Sequence, residues 1–193
     1  MFLNPSPDLR FDGVSYNHEL ILDDCQDFLA RGYNFDYSHD FDMTVDIKDW
    51  VLPKDTGYFW QVIPLIFKGE PFPGIPWNLT AYIINTLRVK PLLATFSILR
   101  GPSEIDPHID ADDELVYNSR HIPVKKRETS VVKYHLTLDT PDDGECGLVV
   151  GDETRILKPG DLNCFDETTT HYAYNRGSTP RSALIVSYLR NQL

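Results

Sequence analysis

After Pro91 the chain becomes a succession of short apolar runs: ATFSIL, SVVKYHLTL, GLVV, TRILK, LNCF and SALIVSYL. Each is β-branched or alternating, and Gly, Pro and Asp turns separate them. Runs of this length and pattern build antiparallel sandwiches and barrels. Lys158-Pro-Gly-Asp161 is one such turn, with Pro at its second position and Gly at its third. The expected fold class is mainly β with flanking helices, a double-stranded β-helix (jelly roll, cupin-like). At 193 residues the chain fits a single domain 1–193. Within it, 1–90 form a helical and aromatic N-terminal support and 91–193 the jelly-roll core.

The first ninety residues read differently. Residues 1–16 are Pro- and Asp-rich and are expected to be extended. Ile21, Cys25, Phe28 and Leu29 recur at helical spacing, which predicts a helix from about Asn17 to Ala30, with Asn17 as N-cap and Gly32 as stop. A second helix fits Asn78 to Arg88, with Leu79, Tyr82, Ile83 and Leu87 on its apolar face. Asn78-Leu-Thr80 matches a glycosylation sequon but reads as helix-start chemistry. Residues 33–60 are aromatic and Asp-rich, with strand-like alternation from Phe41 to Ile47. The segment 111–130 is long, charged and weakly periodic, and is expected to be a lid.

Charge and cysteine content narrow the partners. With 29 acids against 18 bases the net charge is −11, a field that repels nucleic acid and anionic membrane surfaces. Three cysteines without a CxxC pair make neither a disulfide framework nor a structural zinc site. No signal peptide and no apolar run of membrane-spanning length is seen, so the expected compartment is cytoplasmic.

The acidic stretch DPHIDADDE, residues 106–114, holds a His-x-Asp pair, His108 and Asp110. Alternate residues of an extended strand point the same way, so the two can converge on one ion. Two imidazoles and one carboxylate suffice for a non-haem iron(II) centre with an open face, and His171 lies in a later β run that can supply the third donor. The plainer reading is a solvated acidic loop. Arg181, ten residues beyond His171, opens the apolar run SALIVSYL. Buried there it requires a partner, and a guanidinium clamps a carboxylate with two parallel hydrogen bonds; outside the strand it is simply solvated.

Taken in order, these residues resemble the 2-oxoglutarate and iron(II)-dependent oxygenases. The resemblance narrows to the aspartyl/asparaginyl β-hydroxylase family, which includes free-proline hydroxylases. Trp60-Gln-Val-Ile-Pro64-Leu65 with Gly69, Phe96-Ser97, Lys133-Tyr-His135-Leu, and Gly160 with Phe165-Asp166 and His171 follow that family's pattern over about residues 58–190. The resemblance implies that His108, Asp110 and His171 bind Fe(II). It implies that Arg181 holds the distal carboxylate of 2-oxoglutarate, with Ser97, His135 and Lys133 near that co-substrate. O2 would be the oxidant and an amino-acid-like small molecule the substrate, with Arg120 and His121 as candidate substrate contacts. Asp110 departs from the peptidyl-aspartate branch, which lacks the metal carboxylate, and points to the free-amino-acid branch. A peptidyl Asp or Asn hydroxylase, a non-catalytic jelly-roll binding module and a metalloenzyme without 2-oxoglutarate remain the alternatives. His135 also reads as a core histidine, and Lys125-Lys126-Arg127 as a solvated charge run.

Overall fold

Helices cover the outer face of the larger sheet, so the longest β runs after Pro91, β-branched and apolar on that face, are buried on both sides. The computed structural model describes residues 1–5, 11–33, 35–36, 60–67, 69–72, 74–76, 78–85, 87, 89–110, 115–117, 123–125 and 130–190. The first elements are α1 (Asp12–Tyr16), α2 (His18–Ala30), β1 (Phe35–Asp36), β2 (Trp60–Phe67), β3 (Glu70–Pro71) and α3 (Leu79–Asn85). There follow β4 (Leu93–Leu99), β5 (Ser103–Glu104), β6 (Leu115–Tyr117), β7 (Pro123–Lys125) and β8 (Val131–Asp139). The chain continues through β9 (Cys146–Val150), β10 (Glu153–Ile156), β11 (Leu162–Asp166), β12 (His171–Asn175) and β13 (Arg181–Leu189).

The larger sheet runs β1-β2-β4-β13-β8-β11, with β3 on β2, and the smaller runs β10-β9-β12-β5; all pairs are antiparallel. Eight strands, β4, β5 and β8 to β13, thus pass back and forth between two facing sheets. This is the double-stranded β-helix expected from the sequence.

Strand alternation divides the larger sheet into two faces. Ala94, Phe96 and Ile98, Val132, Tyr134 and Leu136, and Leu184, Val186 and Tyr188 join Phe11, Ile21, Cys25, Phe28 and Ile84 in one core beneath the helices. The intervening positions, Thr95, Ser97, Lys133, His135, Arg181 and Ile185, line a cavity between the sheets. Beside it Leu99, Leu148, Val150, Phe165 and Ala173 close a second core. One period-two pattern therefore builds the scaffold and aims the polar side chains.

Several local expectations are corrected. Residues 12–16 are helical rather than extended, and Phe11 stacks on Tyr134 at 4.7 Å between ring centroids. Asn17 does not cap α2 with its side chain; its Nδ2 donates back to the Gly13 carbonyl at 2.6 Å, closing α1. Gly32 does end α2. At φ 83°, it donates to Leu29 while Tyr33 donates to Phe28, a Schellman closure that needs the left-handed conformation. In α3 the buried residues are Thr80, Ala81 and Ile84, whereas Leu79 and Tyr82 are exposed. The helix is turned by Thr80, whose N–H and hydroxyl both donate to Asp24 of α2, at 2.7 and 2.6 Å. Asn78 Oδ1 accepts the Ala81 N–H at 2.8 Å, so the sequon is helix-start chemistry as expected.

The three cysteines are free and buried. The alternation from Phe41 to Ile47 lies outside the described residues. Of the expected lid, β6 and β7 form an antiparallel ribbon, and most of the remaining segment lies outside the described residues. No helix among the described residues is long and apolar enough to cross a membrane.

Candidate metal centre

His108 and His171 are joined by their backbones. Each accepts the other's N–H, at 3.1 and 2.8 Å, in a single antiparallel bridge rather than a long strand. Asp110 then donates its N–H to the Glu167 carbonyl at 3.1 Å, which ties the chain after the bridge to the turn before His171. These backbone bonds set three donors together: one ligand atom from each of His108, Asp110 and His171 lies within 4.8 Å of the others. The Nε2 atoms of His108 and His171 are 3.6 and 3.4 Å from the Asp110 carboxylate oxygens.

The imidazoles are fixed in the tautomer a metal needs. His108 Nδ1 faces the Asp106 carbonyl at 2.7 Å and His171 Nδ1 the Thr169 carbonyl at 2.9 Å. A carbonyl only accepts, so both protons sit on Nδ1 and both Nε2 lone pairs are directed to the shared point. Burial pushes His108 below the ordinary imidazole value, favouring its neutral form. Burial alone would raise the Asp110 carboxyl, but the Lys133 ammonium beside it outweighs burial and holds it well below the carboxylate range. A carboxylate and two imidazoles that converge through Nε2 suit a divalent transition metal such as iron(II).

The remaining polar groups line the cavity, whose empty space is about 570 Å³ with the open solvent at its mouth included. Lys133 donates to Asp110 and stands 3.9 Å from Glu167, and these two acids raise its ammonium pKa against the pull of burial. Trp60 Nε1 donates to Ser97 Oγ at 3.0 Å, which leaves the Ser97 hydroxyl proton to find another acceptor. Arg181 is 1% exposed, and burial pulls its guanidinium down to about 10. Its Nη1 donates to His135 Nε2 at 3.1 Å, while Arg181 Nε and His135 Nδ1 are buried with no hydrogen-bond partner among the described residues. Burial, then the adjacent guanidinium, hold His135 well below the usual imidazole range, so it is neutral and its proton is on Nδ1. Among the described residues no carboxylate pairs with Arg181.

His108, Asp110, His171, Ser97, Lys133, His135 and Arg181 therefore share one cavity. Arg120 and His121 lie outside the described residues. Two contributions were not anticipated. Glu167 is 2% exposed, and its signal was available: it follows inward-facing Phe165 by two residues, the spacing that keeps a side chain on the same face. The Trp60 to Ser97 bond joins strands 37 residues apart and leaves no local trace.

Comparisons with known proteins agree with this architecture. No curated protein matches the chain. Its fold is similar to that of a Pseudomonas putida prolyl-4-hydroxylase, with TM-score 0.53 and 15% identity over 91% of this chain and 88% of that one. An oxidoreductase of the 2OG-Fe(II) oxygenase family from Burkholderia pseudomallei aligns over 73% of each chain, with TM-score 0.47 and 14% identity. At family level, the profile of aspartyl/asparaginyl beta-hydroxylase matches residues 15–191. The chain belongs to the aspartyl/asparaginyl beta-hydroxylase family.

Proposed function

We propose that this protein is an Fe(II)- and 2-oxoglutarate-dependent dioxygenase that hydroxylates an unactivated C–H bond of a free amino acid or a small amino-acid-derived metabolite. One observation carries the reading. A buried guanidinium without a carboxylate partner among the described residues lines the same cavity as two imidazoles and a carboxylate. An uncompensated buried cation is costly, and a dicarboxylate that reaches both sites removes the cost.

His108, Asp110 and His171 hold the iron, and Arg181 holds the distal carboxylate of 2-oxoglutarate. With O2, the bound iron and 2-oxo acid supply oxidative decarboxylation to succinate and CO2, coupled to transfer of one oxygen atom into the substrate C–H bond. The chain's own residues orient and insulate that chemistry. The Asp106 and Thr169 carbonyls hold the two imidazoles in register, and Trp60 turns the Ser97 hydroxyl toward the co-substrate. Neutral His135 sets the angle of Arg181 without competing for its charge. Leu93, Leu148, Phe165 and Ile185 keep water from the reacting groups. Arg120 and His121 are proposed as substrate contacts.

The test is succinate release by iron-loaded protein with 2-oxoglutarate in air, scanned over the free amino acids and over Asp- and Asn-containing peptides. Stimulation by one free amino acid is the expected result. Stimulation by peptides alone would move the substrate to the peptidyl class, and no succinate under any condition would remove the dioxygenase reading.

A further inference from the structure

We propose that Asn175 is a positioning residue for the distal-carboxylate site: its amide locks the connection that delivers Arg181 into the cavity. The inference rests on the reading of Arg181 given above. Asn175 is the last residue of β12, in the smaller sheet, and is 0% exposed. Its Nδ2 donates to the Leu99 carbonyl at 3.0 Å and the Thr179 carbonyl at 2.8 Å. Its Oδ1 accepts the Gly177 N–H at 2.9 Å and the Cys146 S–H at 3.4 Å. Leu99 is the β4 residue paired with Arg181 in the larger sheet, and Thr179 stands two residues before Arg181. A single side chain thus ties the end of one sheet to the end of the other, and to the connection between them.

Only an amide satisfies this place. Both groups met by Nδ2 are acceptors and both met by Oδ1 are donors, so the side chain supplies two hydrogens and two lone pairs. The connection has little room to settle elsewhere. A Cβ on Gly101 would lie 2.0 Å from the Gly177 carbonyl oxygen, and one on Gly177 would lie 2.4 Å from Pro141. Strand pairing alone fixes Arg181 weakly on its other side, because the β13–β8 register is irregular between Ser182 and Ala183. The amide therefore sets where β13 begins, and with it the point at which the guanidinium enters.

The experiment uses Mn(II)-loaded full-length protein titrated by calorimetry with 2-oxoglutarate and with 2-oxobutyrate, which has no distal carboxylate. Mn(II) affinity is measured separately by electron paramagnetic resonance. Asn175→Asp keeps the shape but turns an oxygen toward two carbonyls. It should weaken 2-oxoglutarate binding about tenfold while 2-oxobutyrate and Mn(II) stay within about twofold of wild type. Asn175→Ser, which retains a shorter donor, should show the same split at smaller size. Retention of the wild-type preference for 2-oxoglutarate in both variants overturns the assignment to Asn175. So does a parallel fall of all three affinities in both, which marks a general structural role. Wild-type protein that binds the two oxo acids equally overturns the reading of Arg181 itself.

Discussion

Lys133, whose side chain is 12% exposed, and the fully buried Arg181 are both cations on the inner face of the larger sheet, and the protein treats them in opposite ways. Lys133 is matched from within, by a bond to Asp110 and by Glu167 at 3.9 Å. Among the described residues Arg181 meets a neutral imidazole, His135, and no carboxylate, and its buried Nε has no hydrogen-bond partner there. A charge that the fold neutralises secures its own surroundings, whereas a charge left unneutralised lowers stability until a ligand arrives. The contrast separates the part of the cavity that organises the metal donors from the part that recognises an anion.

The largest expected effect comes from breaking the first part. Asp110→Ala or His108→Ala should abolish turnover and reduce Mn(II) affinity by on the order of 100-fold or more, read by electron paramagnetic resonance. His171→Ala should do the same, and substantial 2-oxoglutarate-dependent hydroxylation by that variant would contradict the ligand set. Next, Arg181→Met should raise the Kd for 2-oxoglutarate about 100-fold, from loss of charge-assisted hydrogen bonds, with Mn(II) affinity intact.

The sharpest contrast is in stability without ligands. Lys133→Met leaves Asp110 without its ammonium and should cost about 3 kcal/mol in urea unfolding, while Arg181→Met should be neutral or stabilising by about 1 kcal/mol. Equal losses in the two variants would erase the distinction between the two cations.

The smallest effect is in pH dependence. Burial and Arg181 hold His135 well below the ordinary imidazole value of 6.5, so the unfolded chain takes up this proton first as pH falls. The contribution of neutral His135 to stability is whole above 6.5 and is lost as pH drops below it toward the folded-state value. His135→Gln should therefore flatten the decline in unfolding free energy between about pH 7 and pH 5, where one such group accounts for at most about 1.4 kcal/mol per pH unit.

The sequence made the two-sheet body legible because strand alternation is local: the runs from Ala94 to Leu189 carry their own period. The chemistry-bearing residues were legible for a related reason. Lys133 and His135 alternate on one strand, and His108 and Asp110 keep the same spacing, so each pair shares a direction wherever the strand goes. Reading β2 required more, since Pro64 and the register shift beside it interrupt the alternation. Helix rotation was misjudged for α3 because Asp24, 56 residues from Thr80 in sequence, decides which face turns inward. Whether Arg181 was buried could not be read from the sequence, because that depends on the pairing of β13 with β4 and on the hydrogen bonds of Asn175.

The central claim is that Arg181 presents its charge to a metal-chelating 2-oxo dicarboxylate. Anaerobic titration of Fe(II)-loaded wild-type and Arg181→Met protein with 2-oxoglutarate, followed through the visible metal-to-ligand charge-transfer band, tests it most directly. The account predicts a saturable band in both, with half-saturation moved about 100-fold higher in the variant. Absence of the band in wild-type protein, or identical saturation in the two, would contradict it.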